Sequence, residues 1–340
     1  MCGVETELLT GLRYFMLPPK VSVVVVAYMA QDVISDCIDS LIKQTYSKED
    51  YEIIIVVDDD DTFDAVKKYL GLSAPRIKIQ RRIERGNIPS ARNVGIHLSQ
   101  GEIVAFTDSD CVVHECWIEK LCEEFKHLPS IAGVGGAVKP FSLDPVSRAL
   151  ALLNMVSSSG GERSFKKQLA TSNAAYRKDV LIDVGGFDEN ASVGEDLDLY
   201  RRVIQQGHQV LYNPDIFVHH KHRMRLLDIF LWCYSAKMKS IYMLKKYKHY
   251  LSSVRQITPA LTVLILLISV FILGLISTLT IILVFIILTY ISVFLLFGRN
   301  EYFSGKVGAI LPVVVLVISL GFLFGLIKGH FEYARGTMST

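Results

Sequence analysis

The sequence carries almost no net charge, since 36 Lys and Arg residues against 34 Asp and Glu residues leave +2 over 340 residues. Proteins that bind nucleic acid through phosphate contacts usually show a basic excess, so we expect no nucleic-acid partner. The six cysteines include no Cys-x-x-Cys pair, which favours structural thiols in a reducing compartment over a metal site. The sequence also has no internal repeat and no low-complexity linker.

Two further signals are missing from the sequence. No G-x-G-x-x-G segment follows the first apolar run, "VSVVVVAY", which argues against a nicotinamide-binding dehydrogenase. The N-terminal stretch "MCGVETELLTGLRYFML" contains Glu5 and Glu7 and has no sustained apolar centre, unlike a cleavable signal peptide. We therefore expect the water-soluble part of the chain to stay in the cytoplasm.

Hydrophobic residues are abundant, at 51% of the chain with a mean hydropathy of +0.35. No charged residue occurs from Ile257 to Phe297, and one helix of that length would span roughly twice a ~30 Å hydrocarbon core. We predict a reversal near 274–280 between helices at 257–275 and 279–297, and a third span at about 307–327. The sequence thus predicts a multi-pass protein of the cell membrane.

The segment before these spans is basic and amphipathic. Between Lys221 and Arg255, Lys and Arg heavily outnumber the lone Asp228, which the positive-inside rule assigns to the cytoplasmic side. Apolar residues recur at helical spacing from Leu227, so we predict a helix lying on anionic headgroups, with a domain-core helix as the alternative. The predicted divisions are an extension at 1–19, a soluble domain at 20–222, the basic interfacial region at 223–256, a transmembrane region of about three helices at 257–328 and a tail at 329–340.

The soluble domain begins with two apolar runs that each end in polar residues. "VSVVVVAY" and "YEIIIVVDDDD" read as buried strands, and apolar residues between them recur at helical spacing. A strand, a helix and a strand form a right-handed crossover with parallel strands, and such sheets bind ligands beyond the carboxyl ends of their strands. Tyr28, Asp58 and Asp59 therefore lie where a nucleotide is expected. A solvated acidic turn is the alternative, for Asp60 and Asp61 more than for Asp58.

A third run, "GEIVAFTDSDCVV", ends in Asp108 and Asp110. On a regular strand these carboxylates would point to opposite faces, but at the turn one can face a ribose or sugar hydroxyl and the other a hard divalent cation. Upstream, "GNIPSARN" predicts a turn and a helix starting near Ser90, which places Arg92 near the strand ends. This combination indicates a site for a nucleotide-diphosphate donor.

The segment "GEDLDLYRR" places Glu195 and Asp196 in the first turn of a predicted helix. Acids there are favoured by the helix dipole, which is the purely structural interpretation. Arg201 and Arg202 follow within about a turn, close enough to hold Asp196 ionised and oriented.

Six segments in order, "SVVVVAYMAQDVISDCIDSLIKQTY", "EIIIVVDD", "GNIPSARNVGI", "TDSD", "GGFDE" and "GEDLDLYRR", resemble the inverting family 2 glycosyltransferases. The resemblance covers roughly residues 20–220. It implies an α/β catalytic domain of the GT-A fold, Rossmann-like with a mostly parallel sheet, followed here by the predicted C-terminal transmembrane helices. The sequence departs from the family in "VVDDDDT", where a Gly-Ser or Gly-Thr turn is usual.

The resemblance also implies roles for individual residues and a divalent cation, Mg²⁺ or Mn²⁺. The implied roles are nucleotide contacts for Tyr28, Asp58, Arg92 and Asp108, metal binding for Asp108 and Asp110, general-base catalysis for Asp196, and the acceptor side for Glu195, Arg201 and Arg202. His219 and His220 match a late histidine near the metal, and a basic surface cluster is their alternative.

Together these features predict a membrane-bound inverting glycosyltransferase acting at the cytoplasmic face. Its expected partners are a nucleotide-diphosphate sugar, a lipid-linked acceptor such as a glycolipid or lipid-linked oligosaccharide, and a membrane with anionic headgroups. Two alternatives stay open: a polyprenyl- or dolichyl-phosphate sugar synthase, and a non-catalytic nucleotide-binding membrane scaffold.

Overall fold

A computed structural model of the chain describes residues 20–72, 74–83, 86–142, 144–150, 162–165, 168–221, 225–239, 241–247, 283, 287 and 305–334. The strands are β1 Val21–Ala27, β2 Tyr51–Val57, β3 Arg76–Arg81, β4 Ile103–Asp108, β5 Cys111–Val113, β6 Ile131–Pro140, β7 Ala174–Arg177 and β8 Gln209–His220. The helices are α1 Ile34–Ile42, α2 Asp60–Val66, α3 Ile88–Leu98, α4 Trp117–His127, α5 Lys178–Asp183, α6 Glu195–Gln205, α7 Leu226–Lys239, α8 Ile241–Lys246 and α9 Gly305–Ala334.

The eight strands form one sheet in the order β3-β2-β1-β4-β7-β6-β8-β5. The predicted crossover is present, since β1 and β2 run parallel around α1, and β3 and β4 extend the parallel half. The prediction of a mostly parallel sheet was too simple. The second half is mixed, because β7 runs antiparallel to both β4 and β6, and β5 runs antiparallel to β8.

Apolar cores cover both faces of the sheet because neighbouring side chains of a strand point to opposite sides. Val23 and Val25 pack in the core that includes α1 and α4, while Val24 packs in the core that includes α3 and α6. In the mixed half, β6 lies so close to β8 that a Cβ on Gly136 would be 1.8 Å from the Ile216 carbonyl oxygen. This close approach sets where the end of β8 lies.

The last described helices form an apolar cluster of their own. Ile229 and Cys233 of α7 pack with Val307 and Val314 of α9. The described part of the chain contains no helix that is both long and apolar enough to cross a membrane. Of the three predicted spans, the third lies within α9, and the first two fall outside the described residues except for 283 and 287.

Part of the basic region, which was predicted as one helix on the membrane surface, lies among the described residues. It forms two helices, α7 and α8, and Lys246 at the end of α8 binds Asp188 and Asp198 of the catalytic domain. This lysine therefore faces protein carboxylates, as in the domain-core alternative. The extension at 1–19 and the tail beyond residue 334 lie outside the described residues.

Candidate active site

The parallel strands deliver polar residues to one edge of the sheet. Tyr28, Asp58 and Asp108 stand at the carboxyl ends of β1, β2 and β4, which are neighbours in register. The Tyr28 side chain is 42% exposed at this edge, although it follows a buried strand. An exposed aromatic ring beside acids offers a surface on which a nucleobase can stack.

Arg82 forms a bidentate ion pair with Asp58. The guanidinium Nε lies 2.5 Å from Asp58 Oδ1, a second guanidinium nitrogen contacts Oδ2, and both side chains are nearly buried. Arg82 also donates to Ser90 Oγ at 2.7 Å, which joins the end of β3 to the start of α3. Arg82 was not predicted as a site residue, although its position directly after β3 at this edge of the sheet is a signal in the sequence.

The neighbouring Asp59 shapes the loop after β1. Its carboxylate caps α2 by accepting from the Thr62 amide at 2.9 Å, and it accepts from the Met29 amide at 2.8 Å. Burial alone would raise the pKa of Asp59, but these amide hydrogen bonds outweigh it and hold the pKa below its ordinary value. Asp60 is exposed and pairs with Arg81, as a solvated acidic turn would.

Arg92 joins the strand edge to helix α6. Its guanidinium lies 2.7 Å from Glu195 Oε1 and 3.1 Å from Asp108 Oδ1, and it stacks near the Phe187 ring. The side chain is only 4% exposed. Burial would lower its pKa, but the charges of Glu195 and Asp108 prevail and raise it, so the guanidinium stays charged. Glu195, predicted on the acceptor side, thus fixes the start of α6 against β4.

Four potential metal ligands converge at the turn between β4 and β5. One donor atom each from Asp108, Asp110, Cys111 and His220 lies within 4.8 Å of the others. Asp110 Oδ1 is 3.4 Å from His220 Nε2, because β5 pairs with β8 and sets Cys111 opposite His220. His219, the next residue along β8, points its Nδ1 at the Pro140 carbonyl oxygen, 3.2 Å away, and is not part of this group.

These ligands fit a hard divalent cation. Carboxylate oxygens with one imidazole suit Mg²⁺ or Mn²⁺, whereas a soft metal would require thiolate. Burial, with the charges of Asp108 and Asp110 as further causes, raises the pKa of the Cys111 thiol well above its ordinary value. The carboxylate oxygens and the His220 imidazole suit a hard cation better than a thiol does. Both aspartates could reach one ion, because residues 109 and 110 form a turn rather than a strand.

Asp196 lies in the first turn of α6, which begins after Gly194 in a left-handed conformation with φ of 82°. Its carboxylate accepts from the Leu197 amide at 2.7 Å. Burial, with the charge of Glu195 as a second cause, raises the pKa of Asp196 to about 7, although Arg92 counteracts part of this shift. At neutral pH this carboxylate can therefore both take up and release a proton.

The two arginines that the sequence placed beside Asp196 lie elsewhere. Arg202 donates from Nε to Asp198 Oδ2 at 2.8 Å and from another nitrogen to the Val184 carbonyl oxygen at 2.5 Å. Arg201 lies over the Tyr247 ring, 4.3 Å from its centroid. The expectation that they keep Asp196 ionised was wrong. Both arginines belong to α6 and contact groups other than Asp196, and the pKa of Asp196 is raised.

Comparison with known proteins places this site in a family. The sequence model of the family described as Glycosyl transferase family 2 matches residues 22–185. The chain is 30% identical over 224 residues to a glucosyl-dolichyl phosphate glucuronosyltransferase of Haloferax volcanii, covering 59% of this chain and 69% of that protein. It is also 30% identical over 217 residues to the glycosyltransferase AglE of the same organism, covering 60% and 68%.

A solved structure shares the fold. The mannosyltransferase PcManGT from Pyrobaculum calidifontis, determined in complex with GDP-Man and Mn²⁺, superimposes with a TM-score of 0.60. The match covers 94% of each chain at 15% sequence identity, so it shows a common architecture and no more.

Proposed function

Because the chain belongs to glycosyltransferase family 2 and is a glycosyltransferase, we propose that it moves a sugar, with inversion, from a nucleotide-diphosphate donor to a lipid-linked hydroxyl acceptor. The α/β fold is GT-A-like, with a mixed sheet. As an enzyme, the chain is not the non-catalytic scaffold that its sequence left open. The observation that carries the proposal is the half-buried Asp196 carboxylate in the first turn of α6, beside the Arg92 bridge, whose pKa of about 7 suits a general base.

The donor occupies the carboxyl edge of the parallel strands in this proposal. Tyr28 stacks on the nucleobase and Asp58, oriented by Arg82, accepts from it. Asp108, Asp110 and His220 would hold the divalent cation, which supplies positive charge that neutralises the departing diphosphate. The buried Arg92 pairs with Asp108 and fixes the direction of its carboxylate.

Asp196 takes the proton from the acceptor as the acceptor oxygen attacks. A sugar hydroxyl has a pKa far above 7, so it must lose its proton in the transition state, and a positioned base is typically worth ~10²–10⁴-fold. A single displacement inverts the anomeric carbon, with the base and the leaving diphosphate on opposite sides. The Arg92 bridge from Glu195 to Asp108 fixes the base relative to the donor side.

The lipid-linked acceptor and a membrane location are parts of the same proposal. The name of the Haloferax volcanii relative specifies a glucosyl-dolichyl phosphate. The uncharged sequence from 257 to 297 supports attachment to the cell membrane through C-terminal helices, with the catalytic domain in the cytoplasm. Leu227, Leu231 and Trp232 of α7 are exposed apolar residues that suit contact with lipid beside anionic headgroups.

Transfer by the purified full-length protein in detergent tests this function directly. The protein is incubated with Mn²⁺, a panel of nucleotide sugars and either a polyprenyl-phosphate-linked hexose or a bare polyprenyl phosphate, and the anomeric configuration of the product is read by NMR. We expect inverted product on the linked hexose. Product on the bare phosphate alone would replace the proposal with a polyprenyl-phosphate sugar synthase, whose acceptor needs little help from a base because it is already ionised.

The metal is tested in the same assay. We expect Asp110→Asn to abolish transfer, because a neutral amide is a poor ligand for a hard cation. The matched control is Asp64→Asn, which removes an exposed carboxylate of α2 that pairs with Lys67. Transfer that persists in excess chelator would contradict a metal role for Asp110.

A further inference from the structure

Helix α8 is attached to the catalytic helix α6 by a cluster of charged and hydroxyl groups. Lys246 Nζ lies 2.5 Å from Asp198 Oδ1 and 2.5 Å from Asp188 Oδ2. The Tyr247 hydroxyl donates to Asp198 Oδ1 at 2.6 Å, and the Tyr242 hydroxyl donates to Asp188 Oδ2 at 2.7 Å. Asp198 is fully buried, so a large part of its environment comes from a helix more than 40 residues away in sequence.

Apolar contacts lie under this charged cluster. Met243 of α8 is fully buried and packs with the buried Ala191, in the loop that leads into α6. Leu197, the residue directly after Asp196, packs against the same pair. Helix α8 therefore contacts α6 at the two residues that directly follow the acid proposed as base, Leu197 and Asp198.

We propose that Lys246 is a positioning residue for transfer. Through Asp198 and Asp188 it holds the first turn of α6 and the loop before it in one arrangement, and this fixes the reach from Asp196 to the acceptor oxygen. The inference rests on the proposed base role of Asp196 and adds a residue outside the glycosyltransferase core. It has a physical basis in catalysis, since a misplacement of about 1 Å can cost ~100-fold in rate.

Loss of Lys246 is expected to affect turnover more than nucleotide binding. The groups at the strand edge, Asp58 and Asp108, are held by Arg82 and Arg92 and touch neither Lys246 nor Tyr247 in the contacts described for them. Among these contacts the first turn of α6 meets the donor side through the Arg92 bridge from Glu195 to Asp108, so loss of Lys246 should disturb the base far more than nucleotide binding. A lysine that only stabilised the fold would not separate these two steps.

The chain contains a closely matched control. Lys78 pairs with Glu52 at 2.8 Å, and the side-chain exposures of that pair, 30% and 0%, nearly equal those of Lys246 and Asp198, 28% and 0%. Glu52 is near the start of β2, at the opposite end of the strand from Asp58. Lys78→Met therefore removes the same type of contact at a distance from the site.

The experiment measures kcat and nucleotide-sugar KM for Lys246→Met, Lys246→Arg and Lys78→Met, at a temperature where thermal melts show each variant folded. We expect Lys246→Met to lower kcat ~10-fold or more with KM within about twofold of the unchanged protein. We expect Lys246→Arg to recover most of kcat, because its guanidinium can also reach two carboxylates. An unchanged kcat for Lys246→Met, or an equal loss for Lys78→Met, would overturn the proposal.

Hydrogen–deuterium exchange of the full-length protein in detergent gives a readout that needs no substrate. We expect Lys246→Met to speed exchange in the first turn of α6 and to leave β4 unchanged, and Lys78→Met to leave α6 unchanged. Unaltered exchange in α6 would contradict the positioning role. Because this measurement uses no acceptor, it separates a failure of the inference from a wrong assignment of the lipid-linked acceptor.

Discussion

The acids on the two sides of helix α6 have pKa values that are shifted in opposite directions. On the side facing α8, Asp198 accepts from Lys246 and Tyr247 and pairs with Arg202 at 2.7 Å. Burial alone would raise the pKa of Asp198, but these partners outweigh it, and the pKa is lowered. This carboxylate stays ionised and structural.

On the side facing the strand edge, Asp196 has neutral hydrogen-bond donors. The Leu197 amide and the Gln168 side chain contribute, and the charge of Arg92 acts on Asp196 while its guanidinium contacts Glu195 and Asp108. Burial therefore prevails, and the pKa rises to about 7. Two acids two residues apart thus have pKa values shifted in opposite directions, because one is paired with cations and the other is not.

The largest expected effect is on the unpaired acid. Replacing Asp196 by Asn keeps the shape but removes the base, so we expect kcat to fall ~10²–10⁴-fold with donor KM unchanged. The same change should raise Tm at pH 8, because the folded pKa of Asp196 lies above its unfolded value of 3.8, and the stability lost on ionising it accumulates from about pH 4 to about pH 7 and is complete at pH 8. Below about pH 4 both states are protonated and the gain in Tm should disappear.

Steady-state kinetics and thermal melts at pH 8 and pH 4 check this prediction. Retention of most of the turnover by Asp196→Asn would exclude the base role. A lower Tm at pH 8 would show instead that Asp196, like Asp198, is a structural acid, and the comparison between the two sides of α6 would fail.

Asp198→Asn should have the opposite effect on stability. It leaves Lys246 and Arg202 without their shared carboxylate, and breaking a buried pair costs roughly 3–5 kcal/mol. Both cations are partly exposed, so solvent screening places the expected loss in the free energy of unfolding at about 3 kcal/mol. Because the folded pKa is lowered, the contribution of Asp198 is present at neutral pH and is lost as pH falls through the folded pKa.

Urea unfolding of both variants at pH 7.5 checks the opposite signs. Asp183→Asn, an acid at the end of α5, serves as a control for a change of one charge. If Asp198→Asn were as stable as the unchanged protein, the cluster around it would not be holding α8 in place.

Much of this fold could be predicted from sequence, and the reasons differ between its two halves. The parallel half has long runs rich in β-branched residues, as in Val21–Ala27, and such runs strongly predict buried strands. In the mixed half, Ala174–Arg177 is only four residues long and Ile131–Pro140 is rich in glycine, so neither shows a strand period. Their antiparallel pairing depends on contacts distant in sequence.

The candidate site likewise contains residues that the sequence predicts and residues that it does not. Asp58, Asp108 and Asp110 could be found because each follows an apolar run that ends at the edge of the sheet. For Arg82 the sequence offered only its position directly after β3, and for Lys246 it offered no partner, since a basic residue in the sequence does not show which carboxylate it will bind. The basic pattern around Lys246 predicted lipid contact, and the partner proved to be a buried acid of the protein itself.

The pH profile is a smaller test of the same comparison. An acceptor base with a pKa of about 7 must be ionised, so kcat/KM should rise with pH and level off above it, reaching at pH 6 only about a tenth of its plateau. We expect the residual activity of Asp196→Asn to lose this dependence. Saturating Mn²⁺ at each pH controls for protonation of the metal ligands. A flat profile in the unchanged protein between pH 6 and 8 would show that Asp196 is not the titrating group.

The smallest expected effect concerns an acid of the donor side that resembles Asp198 in its lowered pKa but is only half-buried. Asp59 caps α2 through the Thr62 amide and holds the Met29 amide, next to Tyr28, which is expected to stack on the nucleobase. Asp59→Ala removes one cap and should cost about 1 kcal/mol of unfolding free energy.

The loosened Met29 turn should also raise donor KM a few-fold, since Tyr28 would have to be ordered when the nucleotide binds. Turnover at saturating donor should not change, because Asp196 lies on another element. Asp59→Asn, which keeps an oxygen that can accept from Thr62, should recover most of the stability. The measurements are urea unfolding and the separate determination of kcat and KM. A fall in kcat with unchanged KM would mean that a change on the donor side alters the base. The contrast between acids paired with donors or cations and the unpaired Asp196 would then not explain which acids act in catalysis.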